Sequence, residues 1–361
     1  MAYRVTRRRV LAGLSFAGVA PLVALPRALA ADPPPETTSV RIPRFVGAPL
    51  TCLAPLYAAE EFLRAEGFTD LRYIDVPGSG YLEAVGRGTV DFAQDFVVSA
   101  LRRIDAGDPT TLLAGLHVGC FEGFANDSVR SVRDLKGKRV GIFAEITEYW
   151  LLKIMAAYVG LDPARDIHWV NTQHPIDLFE QGKIDAYATL ASETFDIRAR
   201  KLGRSFINTA IDRPWSQYYC CVFEGNREFV RKYPVATKRV VRAMLNATDL
   251  CVSDPARVAR RLVDRGITDR YDYALQTMNE LPYDKWRDYD AEDSVRFYAL
   301  RMHETGLIKS APKEIISDAC DWRFLNELKR ELKAERRGSG QPKEGASRPQ
   351  ALPSTAASSK P

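Results

Sequence analysis

The chain has four histidines, and His117, His168, His174 and His303 stand apart. None sits in an H-E-x-x-H pair or beside a nucleophile signature, which removes the common local patterns of zinc hydrolases and triad enzymes. A phosphate-binding loop is also missing, because Gly78-Ser79-Gly80 is too short and carries no lysine. No apolar run reaches the ~20 residues that a membrane span needs. The six cysteines, Cys52, Cys120, Cys220, Cys221, Cys251 and Cys320, form no C-x-x-C pair and show no histidine at metal spacing. Each is flanked by apolar residues, where a free cysteine behaves as a small hydrophobe, so buried free thiols are expected. No catalytic residue, metal site or cofactor follows from these patterns.

An excess of positive charge is missing too, despite the formal net charge of +5. Residues 1–31 hold five arginines and no acid, and so account for all of it. The tail from Lys333 onward holds six basic and two acidic residues, which leaves the region between close to −4. A basic surface for nucleic acid is therefore not expected.

The two ends differ from the middle. Residues 1–30 run from a basic start through an apolar stretch to Ala-Leu-Ala, the order of a secretory signal cut after Ala30. Thr6-Arg7-Arg8-Arg9-Val10-Leu11 resembles a twin-arginine export signal. No cysteine lies near the cut, so the expected product is exported to the periplasm, soluble and without a lipid anchor. Residues 334–361 are rich in Pro, Ser, Gly and Ala and are expected to be disordered.

What is present in the middle is alternation. Strand-like runs at "TSVRIPRF", "LRYIDV", "VDFA" and "TTLLAGLHVG" are separated by helical stretches, one of them spanning 55–66. A second series begins at "SVRDLKGKRVGIF" and continues through "DIHWVN", "DAYATL" and "SFINTAI". Such alternation predicts two parallel α/β lobes. After Asn226, an N-cap candidate, only helices follow, with Val240, Val241, Met244, Leu245 and Thr248 at helical spacing.

Four stretches resemble the solute-binding proteins of the nitrate/sulfonate/taurine and thiamine-precursor ABC importers. They are "PLYAAEEFLRAEGF", "GRGTVDFAQDF", "SVRDLKGKRVGI" and the helical region from "NREFVRKYP" to "RRLVDRG", in the family's order. The resemblance implies an α/β, two-lobed periplasmic-binding-protein type II fold with a helical C-terminal segment. The first lobe would take 38–124 and 214–330, and the second 125–213. Two crossovers would act as hinges, with a small-molecule ligand between the lobes. An ABC permease in the inner membrane is the implied partner of a monomeric binder.

Ligands of open α/β sheets sit beyond strand C-terminal ends, beside helix N-termini. The candidate ligand-binding residues are therefore Val46, Gly47, Cys52, Gly78, Ser79, Gln94, Asp95, Cys120 and Glu122 on one side. On the other are Glu145, Thr147, Ser192 and Glu193, with Trp215, Gln217 and Tyr218 on the return crossover. Asp95, Glu122, Glu145 and Glu193 are all acidic, so an amino-sulfonate or a pyrimidine-like amine is expected over a bare anion.

One branch of the fold is an enzyme, a thiamine-pyrimidine synthase marked by a Cys-Cys-Cys-Phe-Cys run. Aligned on Asn226 to Pro234, that run falls on Trp215-Ser216-Gln217-Tyr218-Tyr219, which has no cysteine. Cys220 and Cys221 lie in a strand-like run whose side chains alternate between faces, so the two sulfurs are expected to part. Binding without bond-making is the expected role. A synthase-like enzyme, or a sensor serving a membrane receptor, is the alternative.

Overall fold

The computed structural model describes residues 33–46, 50–81, 83–143 and 146–338. The expected signal, Gly47, Glu145 and most of the expected tail lie outside the described residues. The unit that begins at Pro34 contains three sheets, of two, three and five strands.

In chain order, β1 (Ser39–Val46), β2 (Asp70–Pro77), β3 (Phe92–Phe96) and β4 (Thr110–His117) belong to the first lobe. The second lobe holds β5 (Phe121–Ala125), β6 (Arg139–Ile142), β7 (His168–Asn171), β8 (Ala186–Leu190) and β9 (Arg204–Asn208). The chain then returns to the first lobe through β10 (Cys221–Asn226).

β1 and β2 pair in parallel, and β10 lies between β3 and β4, antiparallel to both. The Asp91 backbone N–H donates to the Arg41 carbonyl at 2.9 Å and links the two sheets of the first lobe. The five-stranded sheet has the order β7-β6-β8-β5-β9, with β5 antiparallel to β8 and β9. The expectation of purely parallel lobes is thus corrected. The reversed strands, β5 and β10, are the ones that follow a crossover and enter from the opposite lobe. β5 was not foreseen, and it places Phe121 and Glu122 on a strand rather than in a loop.

Local chemistry explains the elements. β4 is buried along its whole length, the near-continuous apolar run of a strand covered on both faces. Asn226 caps the helix Arg227–Lys232, its side chain accepting from the N–H groups of Glu228 and Phe229 at 3.1 and 3.2 Å. Val240, Val241, Met244, Leu245 and Thr248 are buried on the helix Pro234–Ser253, as their spacing predicts. The helix expected over 55–66 is interrupted at Ala59, whose ψ of −16° falls short of the helical value. The helix Arg323–Gly338 runs into the stretch expected to be tail.

One buried charge group fastens the first lobe. Arg103, on the helix Val97–Asp105, donates to Asp95 of β3 at 2.8 Å, Glu224 of β10 at 2.8 Å and Asp108 at 2.9 Å. Desolvation pushes the Glu224 carboxyl up to about 8 against the pull of Arg103.

Candidate functional site

The first crossover joins β4 to β5 through Val118, Gly119 and Cys120. Gly119 has φ of +89°, and a Cβ there would come within 2.8 Å of the Ala210 Cβ. Cys120 also sits in the left-handed region at φ +91°, a conformation that costs a non-glycine residue ~1–3 kcal/mol unless its surroundings fix it. The second crossover passes through the short turn Trp215–Gln217 to Tyr218, Tyr219 and Cys220.

Thiols gather where the crossovers meet. Cys52, on the turn Thr51–Leu53 after β1, is buried with Cys120, Cys220 and Cys221. The Cys120 and Cys221 sulfurs lie 3.9 Å apart, and Cys120 Sγ lies 3.7 and 3.9 Å from the two ring nitrogens of His117. Hydrogen bonds from the Cys120 and Cys221 thiols draw the Cys52 thiol well down, and draw Cys220 down to about 5. Burial pushes Cys120 and Cys221 up. Adjacent Cys220 and Cys221 were expected to point apart. Cys221, at the start of β10, is the one whose sulfur contacts Cys120. The His117-x-x-Cys120 spacing was the signal in the sequence that was passed over.

Gln94 ties β3 to this group. Its amide Nε2 donates to the Cys52 carbonyl at 3.0 Å and lies 3.1 Å from His117 Nε2, while its Oε1 is buried without a partner. Tyr283 Oη also donates to the Cys52 carbonyl, at 3.2 Å.

The second lobe faces these residues with acids. Glu148, on the first turn of the helix Thr147–Tyr158, has its carboxyl pushed up to about 7. Desolvation is the main cause, and the charges of Glu193, Cys52 and Cys220 act in the same direction. Among the described residues no cation or side-chain donor pairs with the Glu148 carboxylate. Sequence reading stopped on its neighbours Glu145 and Thr147 and missed it. Position alone, in the loop after β6, could not separate the three.

The lobes touch on either side of this group. Thr147 Oγ1 lies 2.6 Å from Ser99 Oγ across the interface. Arg198, on the helix Ala191–Arg200, pairs with Glu122 of β5 and, at 2.7 Å, with Glu280 of the helix Tyr271–Glu280. Tyr273 Oη donates to Asp196 at 3.2 Å. The space lined by Cys120, Glu122, Arg198 and Glu280 is a cavity of about 20 Å³, room for one water molecule. The lobes are closed there.

The other predicted residues separate into groups. Asp95 is buried and turned to Arg103, and Glu193 accepts from the Thr189 hydroxyl. The carboxylates of Asp95, Glu122 and Glu193 are thus already partnered, which differs from the open acidic lining expected. Val46 ends β1, 47% exposed, in an outer groove shared with Arg44, Asp75 and Arg265. Gly78 begins the turn Gly78–Tyr81, with Ser79 next to it. Ser192 lies on the helix Ala191–Arg200 beside Glu193. Trp215 is buried, edge-on to Tyr158 and Phe297 at 5.6 and 5.5 Å, and Tyr218 stacks on Phe297 at 3.9 Å. Gln217 is exposed. This part of the return crossover packs on the helix Ala291–Glu304 and does not join the thiols.

Comparison with known proteins agrees with the architecture. The family described as NMT1/THI5 like matches residues 51–258. The 4-amino-5-hydroxymethyl-2-methylpyrimidine phosphate synthase THI5 of Saccharomyces cerevisiae is 23% identical over 223 residues, covering 58% of this chain. The chain spans 63% of the length of that curated relative. The periplasmic nitrate-binding protein NrtA of Synechocystis PCC 6803 superposes with a TM-score of 0.67 at 16% identity, covering 86% of this chain and 92% of that one. The putative sulfonate ABC transporter periplasmic sulfonate-binding protein SsuA of Methylobacillus flagellatus KT gives 0.63 at 17% identity, over 82% and 95%. These likenesses establish the two-lobed binding-protein fold. Among the described residues no helix is long and apolar enough to cross a membrane.

Proposed function

The chain belongs to the NMT1/THI5-like family, and from that premise we propose that it is the solute-binding component of an ABC importer. Its ligand is a small polar organic molecule bearing an amine or a protonated ring nitrogen, held between the lobes. The observation that carries this reading is Glu148, a carboxylate without a partner at a closed lobe interface. Glu148 is partly exposed, and its unpartnered carboxylate is open to pairing with a ligand cation. Export to the periplasm by a twin-arginine signal, delivery to an inner-membrane permease and a monomeric state complete the proposal.

A synthase-like activity is the second reading, since the curated relative is a pyrimidine phosphate synthase. Against it, Trp215 and Tyr218 are committed to aromatic packing where the synthase branch is expected to carry its cysteine run.

Calorimetry on matched ligands, each with and without its amine, tests the proposal. An amino-sulfonate and an aminopyrimidine form the amine-bearing set. The amine should improve Kd by about tenfold or more, and Glu148→Gln should erase that difference. Equal affinity for an amine-free partner removes Glu148 from ligand recognition. A pyrimidine product formed in a single turnover favours the synthase.

A further inference from the structure

Three donor side chains of a soft-metal type, His117, Cys120 and Cys221, converge where the crossovers meet, and the contacts that close the lobes do not use them. His117 and Cys221 are wholly buried and Cys120 nearly so. One ligand atom from each of the three lies within 4.8 Å of the others. Cys52 and Cys220 are buried in the same core cluster.

The spacings fit a bound ion better than the alternatives. Two thiolates on a tetrahedral ion with ~2.3 Å metal–sulfur bonds are separated by about 3.8 Å, and a thiolate and an imidazole nitrogen by about 3.6 Å. Here the Cys120–Cys221 separation is 3.9 Å and Cys120 Sγ lies 3.9 Å from His117 Nε2. A disulfide would bring the sulfurs to about 2.05 Å. Plain apolar wall gives no reason for two thiols and an imidazole to share one point. Cys251 and Cys320, which do serve as wall, have no such neighbours among the described residues.

The surroundings supply the outer support that a ligating histidine uses. His117 Nδ1 lies 3.3 Å from the Val118 carbonyl, which leaves Nε2 to the ion. Nε2 would give up its contact with Gln94, whose Nε2 keeps the Cys52 carbonyl. Cys120 is held at φ +91° with its sulfur in the group.

We propose that His117, Cys120 and Cys221 bind one thiophilic d10 cation, Zn(II) or Cu(I). Sulfur-rich sets with an imidazole suit both ions, and both accept a site without water. The ion ties the first crossover to the start of β10 after the second. Glu148 is not among its ligands, and metal uptake is read apart from ligand binding.

The test uses the reduced full chain, stripped of metal. Zn(II) and Cu(I) are each titrated, under anaerobic conditions, against a chromophoric chelator. One equivalent of either ion should bind, and whichever competes against its chelator identifies the ion. Cys120→Ser and Cys221→Ser should each weaken binding by at least about 100-fold, while Cys251→Ser leaves it unchanged. Should a serine variant fail to fold, X-ray absorption on the loaded wild type replaces it, with sulfur scatterers near ~2.3 Å and an imidazole expected. Failure of both ions to bind stoichiometrically overturns the proposal. So does a shell of oxygen and nitrogen alone, binding that survives both serine variants, or a Cys120–Cys221 disulfide read as a mass lower by two hydrogens with no metal taken up.

Discussion

Glu148 is where single-residue chemistry speaks most directly. Its carboxyl titrates near 7 in the folded chain against an ordinary value of 4.5. Between those values the folded state holds a proton that the unfolded state has lost, so stability falls as pH rises through that window. Glu148→Gln should remove this loss and make the variant more stable than wild type at pH ~8, by on the order of 2–3 kcal/mol at most and less where the side chain reaches solvent. Thermal melts at pH ~5 and ~8 check it: the two proteins should converge at the lower pH and separate at the higher. Parallel melting at both pH values contradicts the shifted carboxyl. A ligand amine should bind more tightly as pH rises across the same window, because it needs Glu148 ionised.

Elements are held by groups that sequence spacing cannot display. Arg103 joins β3, β10 and the loop at Asp108, and its removal leaves three carboxylates buried together. Arg103→Met should destabilise the fold by about 3–5 kcal/mol, read from the urea midpoint. A loss below about 1 kcal/mol would show that water or protonation satisfies those acids without it. Most of the elements were legible. β1, β2, the buried β4 and the capped helix after Asn226 follow from alternation, apolar runs and an N-cap. β5 was not legible, because "FEGFA" directly follows β4 and reads as its continuation, and only the strained pair Gly119-Cys120 marks the change of lobe. The thiol group was hidden for a similar reason. Its members come from three separated stretches, and their convergence is a property of the crossovers rather than of any local motif. Asp95 shows the reverse error: a strand-end acid was assigned to the ligand, whereas a buried arginine nearby in the fold had already claimed it.

The whole molecule closes on itself through contacts between lobes that are weak one by one. Arg198 and Glu280 are 33% and 37% exposed as side chains, so their pair contributes about 1 kcal/mol or less. Tyr273 to Asp196 and Ser99 to Thr147 add two hydrogen bonds of modest net worth. Such contacts suit a hinge that opens without ligand and shuts with it. Glu280→Ala should shift the ligand-free chain toward the open form by up to about fivefold, seen as a larger radius of gyration in small-angle scattering. An unchanged radius would mean that closure rests on other contacts. The central claim, a cation-bearing ligand between closing lobes, is tested most directly by native mass spectrometry of the protein isolated from the periplasm. The account predicts a one-to-one adduct that, once released, contains a basic nitrogen. A bound anion without such a nitrogen, at the same stoichiometry, would contradict it.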